Sequence, residues 1–334
     1  MRETRNILRL YRKICYSICR DMGFFKKGIK MQIRTNPSQK ELKQHGKAEF
    51  PILVSKEQLS IYESGTFLWH WHPEVELTVI QSGEIIYHVN RSVYHLRQGD
   101  ILFCNANALH SGSMFQKKDC SYLSVTFDPR LIYGFQESIV FRKYVDPIIQ
   151  DLGFAAVLFS PENDRYVRLL TALQSLIRLF DRRPAYYEPD MICQLLQIWK
   201  IIFQCYSPKV PAADYEGKEL IRIKQILSYL DQNFMNHITL EDISSVINLC
   251  PGECSRLFRR YMNVTLFSYL KEYRISRSLD FLAEPGLSVT EVAALSGFSD
   301  PNYYTKVFRS IKGCSPRAYR KKYFTCSPEN TKCG

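Results

Sequence analysis

The feature that most constrains the fold is an internal repeat in the last third of the chain. Residues 238–260 (ITLEDISSVINLCPGECSRLFRR) align with residues 287–310 (LSVTEVAALSGFSDPNYYTKVFRS) at an offset of 49 positions, which becomes 50 after one inserted residue. The alignment pairs Thr239 with Ser288, Ile243 with Val292, Pro251 with Pro301, Arg256 with Lys306 and Phe258 with Phe308. Agreement over this length predicts two copies of one small helical unit.

Each copy has the signals of a helix-turn-helix. A capping residue starts a short first helix, and a residue that tolerates the left-handed backbone ends it. A proline then starts the second helix, where its fixed φ is suitable and its missing N–H loses no needed hydrogen bond. In chain order these residues are Thr239, Asn248 and Pro251 in the first copy, and Ser288, Gly297 and Pro301 in the second. Ser288 with Glu291 has the spacing of a capping box, and Thr239 with Asp242 is a near version of one.

The second helix of each copy is predicted to be a recognition helix that enters the major groove of DNA. Outward Arg or Lys side chains can contact guanine, Asn can contact adenine, and Glu can accept a hydrogen bond from cytosine. The residues predicted to contact bases are Glu253, Ser255, Arg256, Asn302, Tyr303, Thr305 and Lys306. The basic residues one turn further along, predicted to neutralise phosphates, are Arg259, Arg260, Arg309 and Lys312.

A continuous helical pattern at residues 266–283 joins the two copies. At ~1.5 Å per residue such a helix is about 27 Å long. With its flanking turns it could hold the two recognition helices about 34 Å apart, which is one turn of the duplex. The sequence therefore predicts that one chain enters two successive major grooves on one side of DNA.

The charge distribution favours a polyanionic partner and divides the chain. Of the net +12, residues 1–47 carry +10 and residues 215–324 carry +5, which leaves −3 for the remainder. No apolar run in the sequence is long enough to predict a membrane span. Residues 1–30 lack the apolar stretch of a secretory signal, so we expect a dispensable extension and a folded protein that starts near Met31.

The cysteines indicate free thiols. There are eleven of them, scattered and without a CxxC pair, which favours neither a zinc finger nor a disulfide scaffold. Free thiols are typical of a protein in the reducing cytoplasm.

Period-two alternation predicts short strands between about residue 50 and residue 127. Val75, Leu77 and Val79 alternate with polar residues, and Asn90 and Arg91 have the character of a hairpin turn. Several short strands at this spacing predict a small antiparallel barrel or sandwich.

Further along the chain the spacing of the apolar residues changes from that of a strand to that of a helix. Apolar residues at helical spacing in residues 161–206 predict a two-helix hairpin, which either closes the barrel or pairs with its copy in a second subunit. Residues 207–217 have the Pro, Ala and polar content of a linker.

The predicted barrel also contains a set of residues of metal-binding types. They are His70, His72, Glu76 and His110. The two-residue period of a strand places the first three on one face, although Pro73 interrupts the pattern. Imidazoles with a carboxylate suit Mn, Fe, Ni or Zn; alternatively, they line a pocket that hydrogen-bonds a small organic molecule. Trp69 and Tyr87 are predicted to line the same pocket, and core packing explains these two aromatic residues equally well.

Residues 218–324 resemble the DNA-binding domain of the AraC/XylS family of bacterial transcription regulators. The most specific stretch is LSVTEVAALSGFSDPNYYTKVFRSIKGCSPRAYR, which is close to the family's signature in order and spacing. The resemblance implies seven helices, a rigid connecting helix and base contacts from both recognition helices. Gly252 and Pro301 depart from the family pattern, in which larger polar residues are common. The histidine pattern is similar to that of cupin barrels, in which three histidines and a glutamate converge on a metal.

The sequence thus predicts a multidomain chain. An N-terminal cupin-like antiparallel β-barrel with a helical hairpin precedes an all-α domain with two helix-turn-helix motifs joined by a connecting helix. The predicted parts are a basic, poorly ordered extension at 1–47, an effector-sensing barrel at 48–135, a hairpin for dimerisation at 136–206, the linker at 207–217, the DNA-binding domain at 218–324 and a tail at 325–334.

The leading hypothesis is a transcription regulator without enzymatic activity, which binds specific double-stranded DNA in response to a small effector. The family resemblance favours activation, a sugar or related metabolite as effector, a homodimer in the cytoplasm, and RNA polymerase as a partner. No cofactor is expected, although a divalent transition metal in the barrel pocket stays an alternative. Two other hypotheses are a metal-dependent cupin enzyme fused to a DNA-tethering domain, and a nonspecific nucleic-acid binder that acts through its basic N-terminal segment.

Overall fold

The computed structural model describes residues 32–207 and 213–324, and the side chains of residues 213–216 are not described. Within these ranges a β-rich N-terminal domain precedes an α-helical C-terminal domain. Residues 1–31, 208–212 and 325–334, which belong to the predicted extension, linker and tail, lie outside the described residues. None of the described helices combines the length and apolar character that a membrane span requires. The seven cysteines in the described ranges are free thiols.

The N-terminal domain consists of two antiparallel sheets. Its strands are β1 (Ile52–Gln58), β2 (Thr66–His70), β3 (Val75–Ser82), β4 (Glu84–Val89), β5 (Ser92–Arg97), β6 (Ile101–Cys104), β7 (His110–Met114), β8 (Ser121–Phe127) and β9 (Ala156–Phe159). The first sheet has the order β1-β8-β3-β6-β9 and the second has the order β2-β7-β4-β5, with all neighbours antiparallel. The predicted antiparallel β fold is confirmed.

Both faces of the first sheet are buried, and successive side chains of β3 alternate between them. Val75, Leu77 and Val79 belong to a core that the sheet shares with helices, whereas Ile80 belongs to the core between the two sheets. Glu76 lies four positions before Ile80, so its side chain points to the same face of the sheet, which is the inner side of the barrel.

Helices cover the outer face of the first sheet. They are α1 (Arg130–Tyr133), α2 (Asp146–Ile149), α3 (Tyr166–Arg182) and α4 (Tyr187–Phe203). The apolar stripes of α3 and α4, with Leu173 and Ile198 fully buried, join the core that contains Val75 and Leu77. The predicted hairpin thus packs on the first sheet, and its pairing with a copy in a second subunit stays a prediction.

The C-terminal domain has seven helices in residues 213–324, the number that the family resemblance implies. They are α5 (Ala213–Asn233), α6 (Leu240–Val246), α7 (Pro251–Met262), α8 (Leu266–Leu282), α9 (Val289–Leu295), α10 (Pro301–Lys312) and α11 (Pro316–Tyr323). Helices α6 and α9 start 49 residues apart, and α7 and α10 start 50 apart, so the inserted residue lies in the turn. The two helix-turn-helix units are confirmed.

The turns and caps of the two units have the predicted chemistry. Asn248 and Gly297 have φ angles of 51° and 81°, which places both in the left-handed region. Both first helices begin with a complete capping box, because Thr239 and Ser288 each exchange hydrogen bonds with the residue three positions later. A Cβ atom at Gly297 would lie 2.2 Å from the backbone oxygen of Phe234, so the second turn also rests directly on the end of α5.

Residues 32–47, here called the N-terminal strap, pack against the barrel. The indole Nε1 of Trp71 donates to the carbonyl of Ser38 at 2.7 Å, and backbone hydrogen bonds join Trp71 to Gln39 and Glu41. This segment belongs to residues 1–47, which the sequence predicted to be a basic, poorly ordered extension. Its backbone instead forms one isolated bridge, between Lys40 and Trp71, with the residue that follows β2.

Candidate functional site

The recognition helices α7 and α10 expose most of the residues predicted to contact bases. Glu253, Ser255, Arg256, Asn302, Tyr303 and Lys306 are exposed, and Thr305 is half-buried. Because these side chains lie along one side of each helix, the surface can present hydrogen-bonding groups to the major groove. A Cβ atom at Gly252 would lie 3.7 Å from the Arg256 guanidinium, an ordinary van der Waals contact, so that side chain lies above the start of α7.

The opposite sides of α7 and α10 are buried. Phe258 and Phe308 occupy equivalent positions, and each is 0% exposed. In the second unit Phe308 packs against Tyr304 and Tyr319, with ring centroids 5.7 and 5.5 Å away. The inward aromatic residues therefore fix how each recognition helix sits on its domain.

Three of the four predicted phosphate contacts lie at the surface. Arg259, Arg260 and Arg309 are exposed. The Arg260 guanidinium also pairs with Glu219 of α5, a carboxylate that is 2% exposed. This partner orients Arg260 without removing it from solvent.

Lys312 is placed differently from its prediction. Its side chain is 7% exposed, and its Nζ lies 2.7 Å from Oε1 of Glu63 in the β domain. The repeat explains this position, because the counterpart of Lys312 at an offset of 50 is Met262, which is buried in the first unit. Lys312 thus faces the protein, and the structure does not offer it to a phosphate.

Strand pairing brings three of the predicted histidines together in what we call the histidine site (His70, His72, Glu76, Tyr87 and His110). His70 of β2 lies directly opposite His110 of β7, and their ring centroids are 4.1 Å apart. The His72 ring is 5.0 Å from that of His110. One ring nitrogen of each histidine lies within 4.8 Å of the others, and all three residues are buried.

Each of these histidines is oriented by a backbone carbonyl. Nδ1 of His70 lies 2.9 Å from the carbonyl of Leu68. Nδ1 of His72 lies 3.1 Å from the carbonyl of Glu74, and Nδ1 of His110 lies 3.0 Å from the carbonyl of Ala108. Because a carbonyl only accepts, Nδ1 carries a proton, and Nε2 is the atom available to a ligand. The Nε2 atoms of His72 and His110 are buried without a hydrogen-bond partner among the described residues. Metal-binding histidines have this arrangement.

Glu76 lies beside the three histidines as a buried carboxylate. Its Oε1 accepts hydrogen bonds from Thr78 at 2.9 Å and Tyr87 at 3.1 Å, and its Oε2 accepts one from Thr126 at 3.2 Å. Oε2 also lies 3.6 Å from Nε2 of His72. Burial by itself would raise the pKa of Glu76, but the His72 ring and the hydroxyl donors outweigh it and hold the pKa well below its usual range.

Burial also sets the charge of the histidines. Burial first, and then the nearby His72, lower the pKa of His110 to about 4. Burial and the rings of His110 and His72 lower the pKa of His70 well below its usual value. At neutral pH the rings of His70 and His110 are therefore neutral beside an ionised Glu76 carboxylate, and these groups accept hydrogen bonds or bind a cation.

The structure separates the two aromatic residues predicted for the pocket. The Tyr87 ring stacks near that of His110, with centroids 6.1 Å apart and planes 13° apart. Trp69 instead joins the core of the helical domain, together with Leu220 of α5. Trp69 directly precedes His70 in β2, so the two side chains point to opposite faces of the sheet. The register shift between Phe67 and His70 places those two rings on one side, with centroids 5.8 Å apart.

The sequence analysis missed His45, which lies in the N-terminal strap. Its ring is 4.9 Å from that of His72, and its nitrogens lie 3.2 and 3.4 Å from carboxylate oxygens of Glu41 and Glu74. Although burial lowers it, these carboxylates raise the pKa of His45 to about 9. His45, His72 and Glu74 form a second group with metal-ligand geometry. Nothing in the local sequence pattern marks His45 as a site residue, because His72 and Glu74 come from a distant part of the chain.

Both domains match known families. Residues 61–188 match the AraC-like ligand binding domain, and residues 243–322 match a helix-turn-helix domain. The chain is similar to the HTH-type transcriptional regulator YdeC of Bacillus subtilis strain 168, with 30% identity over 84% of this chain and 96% of YdeC.

Two further relatives are more distant. The HTH-type transcriptional activator RhaR of Mannheimia succiniciproducens is 22% identical over 82% of this chain and 93% of its own. The melibiose operon regulatory protein of Escherichia coli strain K12 is 23% identical over 75% of this chain and 83% of its own.

A solved structure of ToxT from Vibrio cholerae strain SCE256, bound to an unsaturated fatty acid, covers 83% of this chain and 98% of its own at 14% identity, with a TM-score of 0.39. The family assignment does not depend on that structure. The two domain matches and the similarity over nearly the whole of YdeC show that the chain belongs to the AraC family of transcription regulators, with an N-terminal ligand-binding domain and a C-terminal DNA-binding domain.

Proposed function

We propose that the chain activates transcription when its histidine site binds a hydroxyl-rich small molecule, a sugar or a related metabolite. The observation that carries this proposal is the chemistry of the site. Three imidazoles and the Glu76 carboxylate converge in a buried position, and the Nε2 atoms of His72 and His110 have no hydrogen-bond partner among the described residues. Such a site supplies acceptors, which match the donors of a polyol and repel an anion.

The relatives support the same class of effector and the same direction of regulation. RhaR is a transcriptional activator by name, and the melibiose operon regulatory protein belongs to a sugar operon by name. A ligand changes the affinity for DNA only if it binds two arrangements of the chain with different affinities, and such couplings typically amount to about 5–150-fold.

Genomic footprinting with and without candidate sugars tests the proposal. We expect a sugar to change occupancy of a specific site by about 5–150-fold, and the Tyr87→Phe variant to weaken that response, because it removes a hydroxyl within the site. The matched control is Tyr186→Phe, because Tyr186 is 81% exposed in the turn between α3 and α4 and lies outside both the histidine site and the recognition helices. If none of the sugars tested alters occupancy of a site that the protein does bind, the effector class is wrong.

A second candidate ligand is a divalent transition metal, favoured by the shared orientation of the three histidines. His70, His72 and His110 would hold the ion through Nε2, with Glu76 close by. In that case the metal would itself be the signal or would supply a Lewis acid to which a small molecule binds.

Metal analysis of the purified protein tests this candidate. We expect about one equivalent of Mn, Fe, Ni or Zn per chain, and loss of most of it in the His72→Ala variant. His237→Ala is the matched control, because His237 is an exposed histidine of the helical domain. Wild-type protein without stoichiometric metal after growth in metal-supplemented medium would exclude the ion and leave the organic effector.

The remaining parts of the proposal concern partners. We propose a cytoplasmic homodimer that contacts RNA polymerase and acts without catalytic turnover. Exposed apolar residues on the outer side of the hairpin, Val167 and Leu196, are 68% and 42% exposed and favour contact with a second copy. A dimer presents four recognition helices, so the footprint above is expected to contain a repeated or inverted half-site.

A further inference from the structure

The β domain contacts the second helix-turn-helix through one buried carboxylate. Glu63, 6% exposed, lies in a short turn just before β2. Its Oε1 is 2.7 Å from Nζ of Lys312, the last residue of α10, and accepts a hydrogen bond of 2.9 Å from the hydroxyl of Tyr319 in α11. One carboxylate oxygen therefore holds two helices of the DNA-binding domain.

The burial of this contact makes it a strong restraint. The side chains of Glu63 and Lys312 are each 7% exposed, and Tyr319 is 9% exposed. While the domains stay docked, removing one member of this buried ion pair leaves an uncompensated charge, so the docked arrangement depends on both partners. Two donors from two helices also fix an orientation, which a single contact would not do.

The docked arrangement leaves the base-contacting side of α10 free. Asn302, Tyr303 and Lys306 are exposed while Lys312 is docked on Glu63. The first unit is held independently, because Arg91 of the β domain and Arg260 of α7 both lie near the buried Glu219. The β domain thus fixes both units without covering the recognition helices.

The same turn is connected to the histidine site. β2 begins three residues after Glu63 and ends at His70, and its partner β7 begins at His110 and ends at Met114. Gly65 has a φ of 68°, and a Cβ atom there would lie 2.4 Å from Sδ of Met114. The turn is therefore packed on the end of the strand whose other end carries a histidine of the site.

We propose that Glu63 is a positioning residue: it orients the second helix-turn-helix for DNA, and β2 links this orientation to the histidine site. The link to the site rests on the proposed function, whereas the positioning role does not. Orienting the second unit in advance lowers the loss of conformational freedom when both recognition helices bind at once.

The test is DNA binding by the full chain without effector, on the footprinted site and on a fragment that keeps only the half bound by the first recognition helix. We expect Glu63→Gln to weaken binding to the full site by about tenfold and to leave binding to the half site unchanged. Tyr319→Phe, which keeps the buried ring and removes one donor, should act in the same direction and less strongly. The control is Glu84→Gln, because Glu84 pairs with His95 and Arg97 within the β domain.

Hydrogen exchange provides a readout besides affinity. We expect amides of residues 301–324 to exchange faster in Glu63→Gln, while residues 240–262 keep their protection. Unchanged or tighter binding to the full site, or an equal loss on both DNA fragments, would overturn the positioning role. If Glu63→Gln does not fold, the Tyr319→Phe variant decides by the same criteria. Failure of every effector candidate would remove the link to the histidine site and leave the result on Glu63 intact.

Discussion

Replacing Arg256 and Lys306 together by alanine is expected to lower the affinity for the specific DNA site by about 2–6 kcal/mol. Each basic residue that contacts a base contributes about 1–3 kcal/mol, and effects at distant positions add. Both side chains are exposed, one on α7 and one on α10. Fluorescence anisotropy titrations of the wild type, the two single variants and the double variant would measure the loss on the specific site and on a scrambled one.

The control for this prediction is Arg309→Ala. Arg309 is exposed in the last turn of α10, where a phosphate contact is expected. Its loss should weaken binding to all sequences alike and reduce the salt slope by about 1. If the double variant loses as much affinity for scrambled DNA as for the specific site, Arg256 and Lys306 contact phosphates and carry no sequence information.

Replacing Phe308 by alanine is expected to lower the free energy of unfolding of the helical domain by about 3–5 kcal/mol. Phe308 is fully buried and lies between Tyr304 and Tyr319. A cavity there would remove the support of the second recognition helix, because both neighbouring rings pack on it. Urea denaturation followed by circular dichroism would measure the change.

Phe267 offers a matched control for this substitution. It is also a phenylalanine of the helical domain, but it is 44% exposed. We expect Phe267→Ala to cost about 1 kcal/mol or less, since little apolar surface and no closed cavity are lost. Equal costs for the two variants would contradict the view that the second unit is built around Phe308.

The helix-turn-helix units could be predicted in detail because their signals are local. A capping box, a left-handed turn residue and a helix-initial proline all act within a few residues, and Ser288, Gly297 and Pro301 occupy the predicted positions. Because the unit is repeated, each kind of signal occurs twice in the sequence. The antiparallel sheets were also predictable from alternation, since Val75, Leu77 and Val79 alternate with polar residues along β3.

Features that depend on contacts between distant segments could not be predicted in the same way. A register shift in β2 places Phe67 and His70 on one side of the strand, and alternation alone cannot locate such a shift. The burial of His45 in the strap depends on carboxylates near the barrel. For Lys312 a signal was present, because its counterpart in the repeat is the apolar Met262, but its charge suggested phosphate contact more strongly.

The two units cannot be exchanged freely, and the reason is the second turn. Asn248 occupies the first turn with its side chain, whereas at the equivalent Gly297 even a methyl group would strike the chain at Phe234. Replacing Asn248 by glycine would keep a permitted backbone conformation in the first turn. Replacing Gly297 by asparagine would instead push the end of α5 aside. The junction with α5 therefore restricts the second turn to glycine, whereas the first turn also accepts the side chain of asparagine in the left-handed conformation.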